Sequence, residues 1–287
     1  MIGSLIGGSL ADKFGRKKAM TINAVYAIVC LLITSSCRLV DSVWLLIIGR
    51  VLIGVNAGVN CSVAPVYIIE IAPLEKRGAF GTMFQLGVTG GSVLSQIIGL
   101  PWFMGNWDLW PVLLLLGAFM PLLQLVLIPF CPESPLWLAR NGKKMEAVKA
   151  EKQLYGYSKL NLNEPKEQKV SLLTNIKQIF NNPPVYRAVV VSVMLMVIQQ
   201  FCGINAIVFY STEIFENAGI PSEYSGLCSV GLGVFKWAFL WVALALIDKA
   251  GRRPLMIWGS IGMGLMCIAA TVLIGMDGEE SVTMAQL

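Results

Sequence analysis

The chain has 287 residues, 56% of them hydrophobic and only 14% charged, with a net charge of +5. A soluble domain carries about a quarter charged residues, so this balance is that of a polytopic membrane protein. The basic excess excludes nucleic acid as a partner, because it is confined to a few loops between apolar runs and has no stacking aromatics interleaved with it. Histidine is absent, which removes the commonest metal ligand and general base. The seven cysteines scatter without paired spacing, mostly inside apolar runs (Cys30, Cys61, Cys202, Cys228, Cys267), and read as small packing residues. There are no paired intramembrane carboxylates and no nucleophile motif, so an enzyme is the least favoured class and no cofactor is expected.

The apolar runs cover residues 1–11, 18–37, 43–71, 79–100, 111–131, 186–212, 225–247 and 254–276. At about 1.5 Å per residue the first is too short for a bilayer core of about 30 Å, and the chain is expected to begin partway through a helix. No basic segment precedes that run, so it is not a signal peptide. Lys13, Arg16, Lys17 and Lys18 follow the first run, Lys76 and Arg77 the third, and Lys249, Arg252 and Arg253 the seventh; segment 132–187 is also rich in Lys and Arg. The alternate loops are basic-poor, holding Arg38 and Asp41, then Asp108, then Glu213, Glu216 and Glu223, then Asp277, Glu279 and Glu280. This alternation makes the basic side cytoplasmic and leaves only Arg38, Arg50 and Lys236 as Lys or Arg outside it.

Asp12-Lys13-Phe14-Gly15-Arg16-Lys17 matches Asp248-Lys249-Ala250-Gly251-Arg252-Arg253, each in a short basic turn between two apolar runs. Such a repeat predicts two parallel half-bundles, as in one large class of secondary transporters. The parts are then residues 1–131, a cytoplasmic helical linker at 132–187, and the start of a second half at 188–287. In the linker, Ser134-Pro135 predicts an N-cap and first helical position, and Trp137 to Tyr155 one solvated helix with Glu146 and Lys149 at i, i+3. Gly156 to Lys169 reads as loop; Leu172, Leu173, Ile176 and Ile179 predict a short amphipathic helix stopped by Pro183-Pro184.

Polar residues inside the runs are the functional candidates, since carboxamides in hydrocarbon are costly without partners or water. Gln85, Thr89, Ser92 and Gln96 stand at i, i+4, i+7 and i+11, a narrow stripe of one helix face. Gly87 and Gly91 lie on another face, at the spacing of close helix packing. The stripe either glues helices together or lines a cavity. In the sixth run, Gln199 and Tyr210 fall almost on one line of an ideal helix, with Gln200 and Asn205 off it. Either a broad face touches a cavity, or the helix loosens near Gly203 and re-aims Asn205. The carboxamides suit a polar, uncharged solute. Lys236 sits mid-run, where a charge costs about 2.5–3.5 kcal/mol on insertion scales, with no acid at i±3 or i±4. Asn60-Cys61-Ser62 matches a glycosylation sequon but lies within a run and is read as structural.

Gln199-Gln200-Phe201-Cys202-Gly203-Ile204-Asn205, Pro132-Glu133-Ser134-Pro135, the two D-K-x-G-R turns, Gly49-Arg50 to Gly54, Glu70 to Arg77, and Met104-Gly105-Asn106 with Asp108-Leu109-Trp110-Pro111 together resemble the sugar porter branch of the major facilitator superfamily. The likeness is greatest to the animal facilitative glucose transporters and extends over essentially the whole chain. It implies an all-α helical bundle of twelve transmembrane helices in two pseudo-repeated halves, of which this chain resembles the second to the ninth. It further implies sugar binding at Gln85, Gln199, Gln200 and Asn205, with Gln96 as a weaker member and Lys236 where the family has asparagine. An outer gate falls at Phe209-Tyr210, where the family has two tyrosines. A Gln-Leu-Ser sequence linked with glucose preference is here Gln200-Phe201-Cys202, and Leu136 replaces an arginine after the linker proline. The resemblance also implies that Arg16, Arg50, Glu70, Arg77, Glu133, Asp248, Arg252 and Arg253 form ion pairs between the halves when the inner gate is shut. Facilitated transport of a hexose, glucose first, in the plasma membrane is the resulting expectation, with hexose and membrane lipid as partners. A proton-coupled or organic-ion porter and a non-transporting sugar sensor stand as its alternatives.

Overall fold

The computed structural model describes residues 1–38, 40, 42–73, 76–106, 109–156, 180–217 and 219–284, with backbone alone at 204, 206, 217, 222, 223, 248–250, 252, 270 and 273–284. Its described residues are helical with no strand. The helices are α1 (Ile2–Phe14), α2 (Arg16–Ser35), α3 (Val43–Ile71), α4 (Arg77–Ile98), α5 (Trp110–Leu116), α6 (Phe119–Leu127), α7 (Pro135–Arg140), α8 (Lys144–Tyr155), α9 (Pro183–Phe201), α10 (Ile204–Asn217), α11 (Ser222–Ala250) and α12 (Arg252–Met284). Among the described residues, five stretches are long and apolar enough to cross a membrane: Arg16–Arg38, Val43–Ile71, Trp110–Phe130, Pro183–Phe201 and Tyr224–Ile247. The protein is an all-α, membrane-spanning chain. Two compact units divide it, Met1–Trp237 and Ala238–Leu287.

Helices in lipid gain nothing from hiding leucine from leucine, so they pack through small residues that let backbones approach. Gly3, Gly7 and Ala11, four residues apart, are the buried residues of α1. A methyl group at Gly3 would overlap the Val55 carbonyl on α3, and one at Gly7 would strike Ser62 and Val59. On α2 the buried side is Asn23, Ala24, Ala27, Cys30 and Thr34, while Ile22, Val25, Val29 and Leu32 are exposed where lipid would be. Asn23 Nδ2 donates to the Asn56 carbonyl of α3 (3.3 Å) and Asn56 Nδ2 returns a bond to the Asn23 carbonyl (2.8 Å). Pro121 in the first turn of α6 has no N–H to offer the Gly117 carbonyl, and the α5–α6 span is interrupted at Gly117-Ala118.

The linker departs from expectation in two ways. Trp137 to Tyr155 is two helices, because Asn141 leaves the helical path and Gly142 takes φ 80° between them. Lys143, and not Lys149, reaches Glu146, with Nζ–Oε2 at 3.3 Å. The Ser134 cap forms as its sequence predicts, the hydroxyl accepting from Trp137 N–H at 3.2 Å. Leu138, Ala147 and Ala150, with Trp137 and Ala139 against them, make a small core between α7 and α8. The loop read at 157–169 and the helix read around Leu172, Leu173, Ile176 and Ile179 lie outside the described residues.

The packing face of α4 also differs. Gly87 and Gly91 look onto open space, and Gly90 instead lies against the Trp237 indole, 3.0 Å from where its Cβ would stand. The buried residues Leu86, Thr89 and Val93 define that face, rotated away from the glycine pair. Each copy of the D-K-x-G-R repeat turns on a positive-φ glycine between two helices, Gly15 at 95° and Gly251 at 80°.

Candidate functional site

α9 and α10 come from one apolar run that breaks where its sequence allows. Cys202 ends α9, Gly203 takes φ 71°, and α10 restarts at Ile204. Asn205 Nδ2 donates to Gln200 Oε1 across the break at 2.8 Å. Both carboxamides are exposed, so Gln200 keeps its NH2 and Asn205 its carbonyl for another partner. Gln199 is exposed beside them, as is Tyr210 at 58%. The straight line joining Gln199 to Tyr210 on an ideal helix does not exist, because the break re-aims everything after Gly203.

A second polar group lies on α4. Gln85 is exposed, with Nε2 at 3.5 Å from Thr89 Oγ1; Thr89 is buried and Ser92 exposed. Gln96 is half-buried, and its Oε1 is wholly buried, with no hydrogen-bond donor among the described residues, close against Gly233 of α11. A Cβ at Gly233 would stand 2.5 Å from that oxygen, so a larger residue there would make the Gln96 carboxamide move. Lys236, one turn further along α11, is exposed, and no carboxylate lies within 4.0 Å of it among the described residues. No hydrogen bond joins the α4 group to Gln200 or Asn205 among the described residues.

Between α10 and α11 runs a hydroxyl seam that sequence reading missed. Ser211 Oγ donates to Ser229 Oγ at 3.1 Å, Thr212 Oγ1 meets the same oxygen at 3.1 Å, and Ser225 Oγ donates to Glu216 Oε1 at 3.0 Å. Ser211 and Ser225 are buried, at 7% and 1% exposed. Its one sequence signal was Ser225 and Ser229, a turn apart on α11, facing the Ser211-Thr212 pair in an apolar run.

The cytoplasmic charges form a cluster at the ends of α1, α2 and α3. Arg16 NH2 donates to Glu70 Oε1 at 3.0 Å, with Nε 3.0 Å from Oε2, and the two side chains are only 7% and 9% exposed. Its NH1 reaches the Ala11 carbonyl (3.2 Å) and Asp12 (3.3 Å). Glu133 Oε1 accepts from the backbone N–H of Lys17 and of Ser134, both at 3.0 Å, so a distant carboxylate caps the N-terminus of α2. Trp137 Nε1 donates to the Asp12 carbonyl (3.0 Å), Tyr67 Oη to that of Pro132 (2.6 Å) and Tyr155 Oη to that of Ile71 (2.9 Å).

Arg16 and Glu70 therefore meet within the first half. Arg50 cannot join them: it stands near the start of α3 and Glu70 at its end, about 30 Å apart at 1.5 Å per residue. Arg77 and Arg253 are exposed at the starts of α4 and α12, and the side chains of Asp248 and Arg252 lie outside the described residues.

The sequence profile of the family described as "Sugar (and other) transporter" matches residues 1–286. Solute carrier family 2, facilitated glucose transporter member 2 of Gallus gallus is 37% identical over 279 residues, 95% of this chain and 52% of the relative. Member 3 of Mus musculus is 36% identical over 291 residues, 99% of this chain and 59% of the relative. The chain thus spans a little over half the length of these relatives. Among solved structures, the xylose transporter XylE from E. coli in a partially occluded inward-open conformation superposes with a TM-score of 0.69 at 26% identity, covering 91% of this chain and 62% of that one.

Proposed function

The chain belongs to the sugar transporter family, and from that premise we propose that the protein carries a hexose, glucose first, across the plasma membrane by facilitated alternating access. The observation that carries the reading is the Gln200–Asn205 bond across the Gly203 break. It fixes two exposed carboxamides with a donor and an acceptor to spare, and no formal charge. Such groups replace the water around sugar hydroxyls without holding the sugar too tightly to let go. Gln199, Gln85 and Gln96 complete the sugar site, and Tyr210 stands at its outer gate. Residues 1–131 and 188 onward supply the two rocking halves and 132–187 the cytoplasmic linker. The Arg16–Glu70 pair and the Glu133 cap support the inner gate, with Arg77, Asp248, Arg252 and Arg253 as further members. The relatives named glucose transporters, and a profile of transporters rather than of enzymes, support a carrier.

The test is uptake of labelled glucose by the full-length protein in liposomes. Saturable uptake is expected, independent of an imposed proton gradient, with KM raised about tenfold in Gln200→Ala by the loss of one to two hydrogen bonds. No saturable uptake, or a Gln200→Ala variant identical to the parent, refutes it. Uptake that follows the proton gradient or voltage establishes a coupled porter instead, and sugar binding without flux a sensor.

A further inference from the structure

We propose that Lys236 makes the carboxamide site selective for a hexose that carries a carboxylate, a hexuronate, over its neutral counterpart. The inference rests on the reading of Gln200 and Asn205 as the sugar site and adds the charge of what it prefers. Three observations converge on it. The first is the register of α10 on α11. Ser211 meets Ser229 and Glu216 meets Ser225, so the helices run antiparallel, each step back along α10 matched by a step forward along α11. Six residues back from Ser211 is Asn205, and seven forward from Ser229 is Lys236, which sets the two within one helical turn of the same level.

The second is the register of α4 on the other side of α11. Gly90 faces Trp237, Gln96 faces Gly233 and Leu100 faces Gly226, again antiparallel. Lys236 falls between the first two of these levels, where Ser92 stands on α4. At about 100° per residue it lies roughly 60° from Gly233, on the same side of α11 as Ser225 and Ser229, which touch α10. The ammonium is thus rooted within one turn of the level of Asn205, on the α10 side of α11, beside the polar stripe of α4.

The third is chemical. An ammonium has three donors and no acceptor. Lys236 is exposed, with no acidic partner within 4.0 Å among the described residues, at a depth where an unpaired charge is costly. A neutral hexose offers that ammonium a hydroxyl oxygen as acceptor but no opposite charge. A carboxylate on the sugar accepts a charge-assisted hydrogen bond from Lys236 while its hydroxyls engage Gln200 and Asn205.

Glucuronate differs from glucose only at C6 and is the probe. In liposomes holding the full-length protein, glucuronate is expected to inhibit labelled-glucose uptake with a constant about tenfold below that of unlabelled glucose. Lys236→Asn is expected to collapse that ratio to one or below, and Lys236→Arg to retain a preference. Raising salt is expected to weaken inhibition by glucuronate more than by glucose. The wild-type ratio and its salt dependence decide the matter even if a variant fails to fold. Glucuronate competing no better than glucose, or a ratio that survives Lys236→Asn, overturns the inference and leaves hexose transport standing. Absence of saturable uptake and of any competition between neutral hexoses overturns hexose transport itself, and this inference with it.

Discussion

Arg16 is 6% exposed, and its charge is compensated chiefly by Glu70, itself nearly buried. A buried pair of this kind is weak evidence of net stability, since both ions lost their water, but removing one partner strands the other. Arg16→Ala in the full-length protein is expected to cost about 3–5 kcal/mol, read as a fall in melting temperature in detergent. Arg16→Met combined with Glu70→Leu is expected to recover most of it. A double variant as unstable as the single would mean that the charges do more than cancel each other. Gly15 is a second such residue. Its φ of 95° and ψ of 161° belong to glycine alone, and a Cβ there would stand 2.5 Å from Glu133 Oε2. Gly15→Ala is expected to destabilise by about 1–3 kcal/mol and, by displacing the Glu133 cap, to speed amide exchange in the first turn of α2. Unchanged exchange there would refute the cap.

Where helices cross the membrane was legible because spans of apolar residues have no other stable form in lipid, but the interruptions at Gly117-Ala118 and Asn141-Gly142 were not. Local contacts were legible too, as at Ser134, where cap and proline lie within three residues of the N–H they serve. Facing was less so. Gly87 and Gly91 had the right spacing for packing, but which face of α4 turns inward depends on Trp237, far away in the chain. The Asn23–Asn56 clamp and the Ser211–Ser229 seam were hidden for the same reason, since a lone asparagine or serine carries no mark of its partner. At Gly203 the sequence allowed two outcomes, a straight helix or a broken one, and the positive φ selects the second. An L-residue there is strained, so Gly203→Ala is expected to cost about 1–2 kcal/mol. It is also expected to lower kcat for hexose uptake, because the joint between α9 and α10 would stiffen or straighten. Wild-type uptake and wild-type melting in Gly203→Ala would remove the break from the mechanism.

At the scale of the whole molecule, Arg16, Glu70 and Glu133 tie the linker and the helix ends of the first half together. Sequence could place Arg16, Glu70 and Glu133 on one side of the membrane but not choose among partners, since every charge there could meet every other. Segment α7–α8 is held by the Tyr67 hydroxyl on the Pro132 carbonyl just before α7, by the Tyr155 hydroxyl on the Ile71 carbonyl at the end of α3, and by the Trp137 indole on the Asp12 carbonyl near the end of α1. In the proposed rocking motion it should therefore travel with α1 to α3, and not behave as a free tether. Tyr67→Phe with Tyr155→Phe removes two donors and leaves two carbonyls without them, at about 1 kcal/mol or more each. Their combined effect on the docked linker is about 2 kcal/mol, or a roughly thirtyfold rise in local opening. Hydrogen–deuterium exchange of the full-length protein should therefore quicken in Pro135–Tyr155 while α9 keeps its wild-type rate. Equal protection of Pro135–Tyr155 in the double variant would mean that these bonds do not hold the linker, and its motion with the first half would lose its basis.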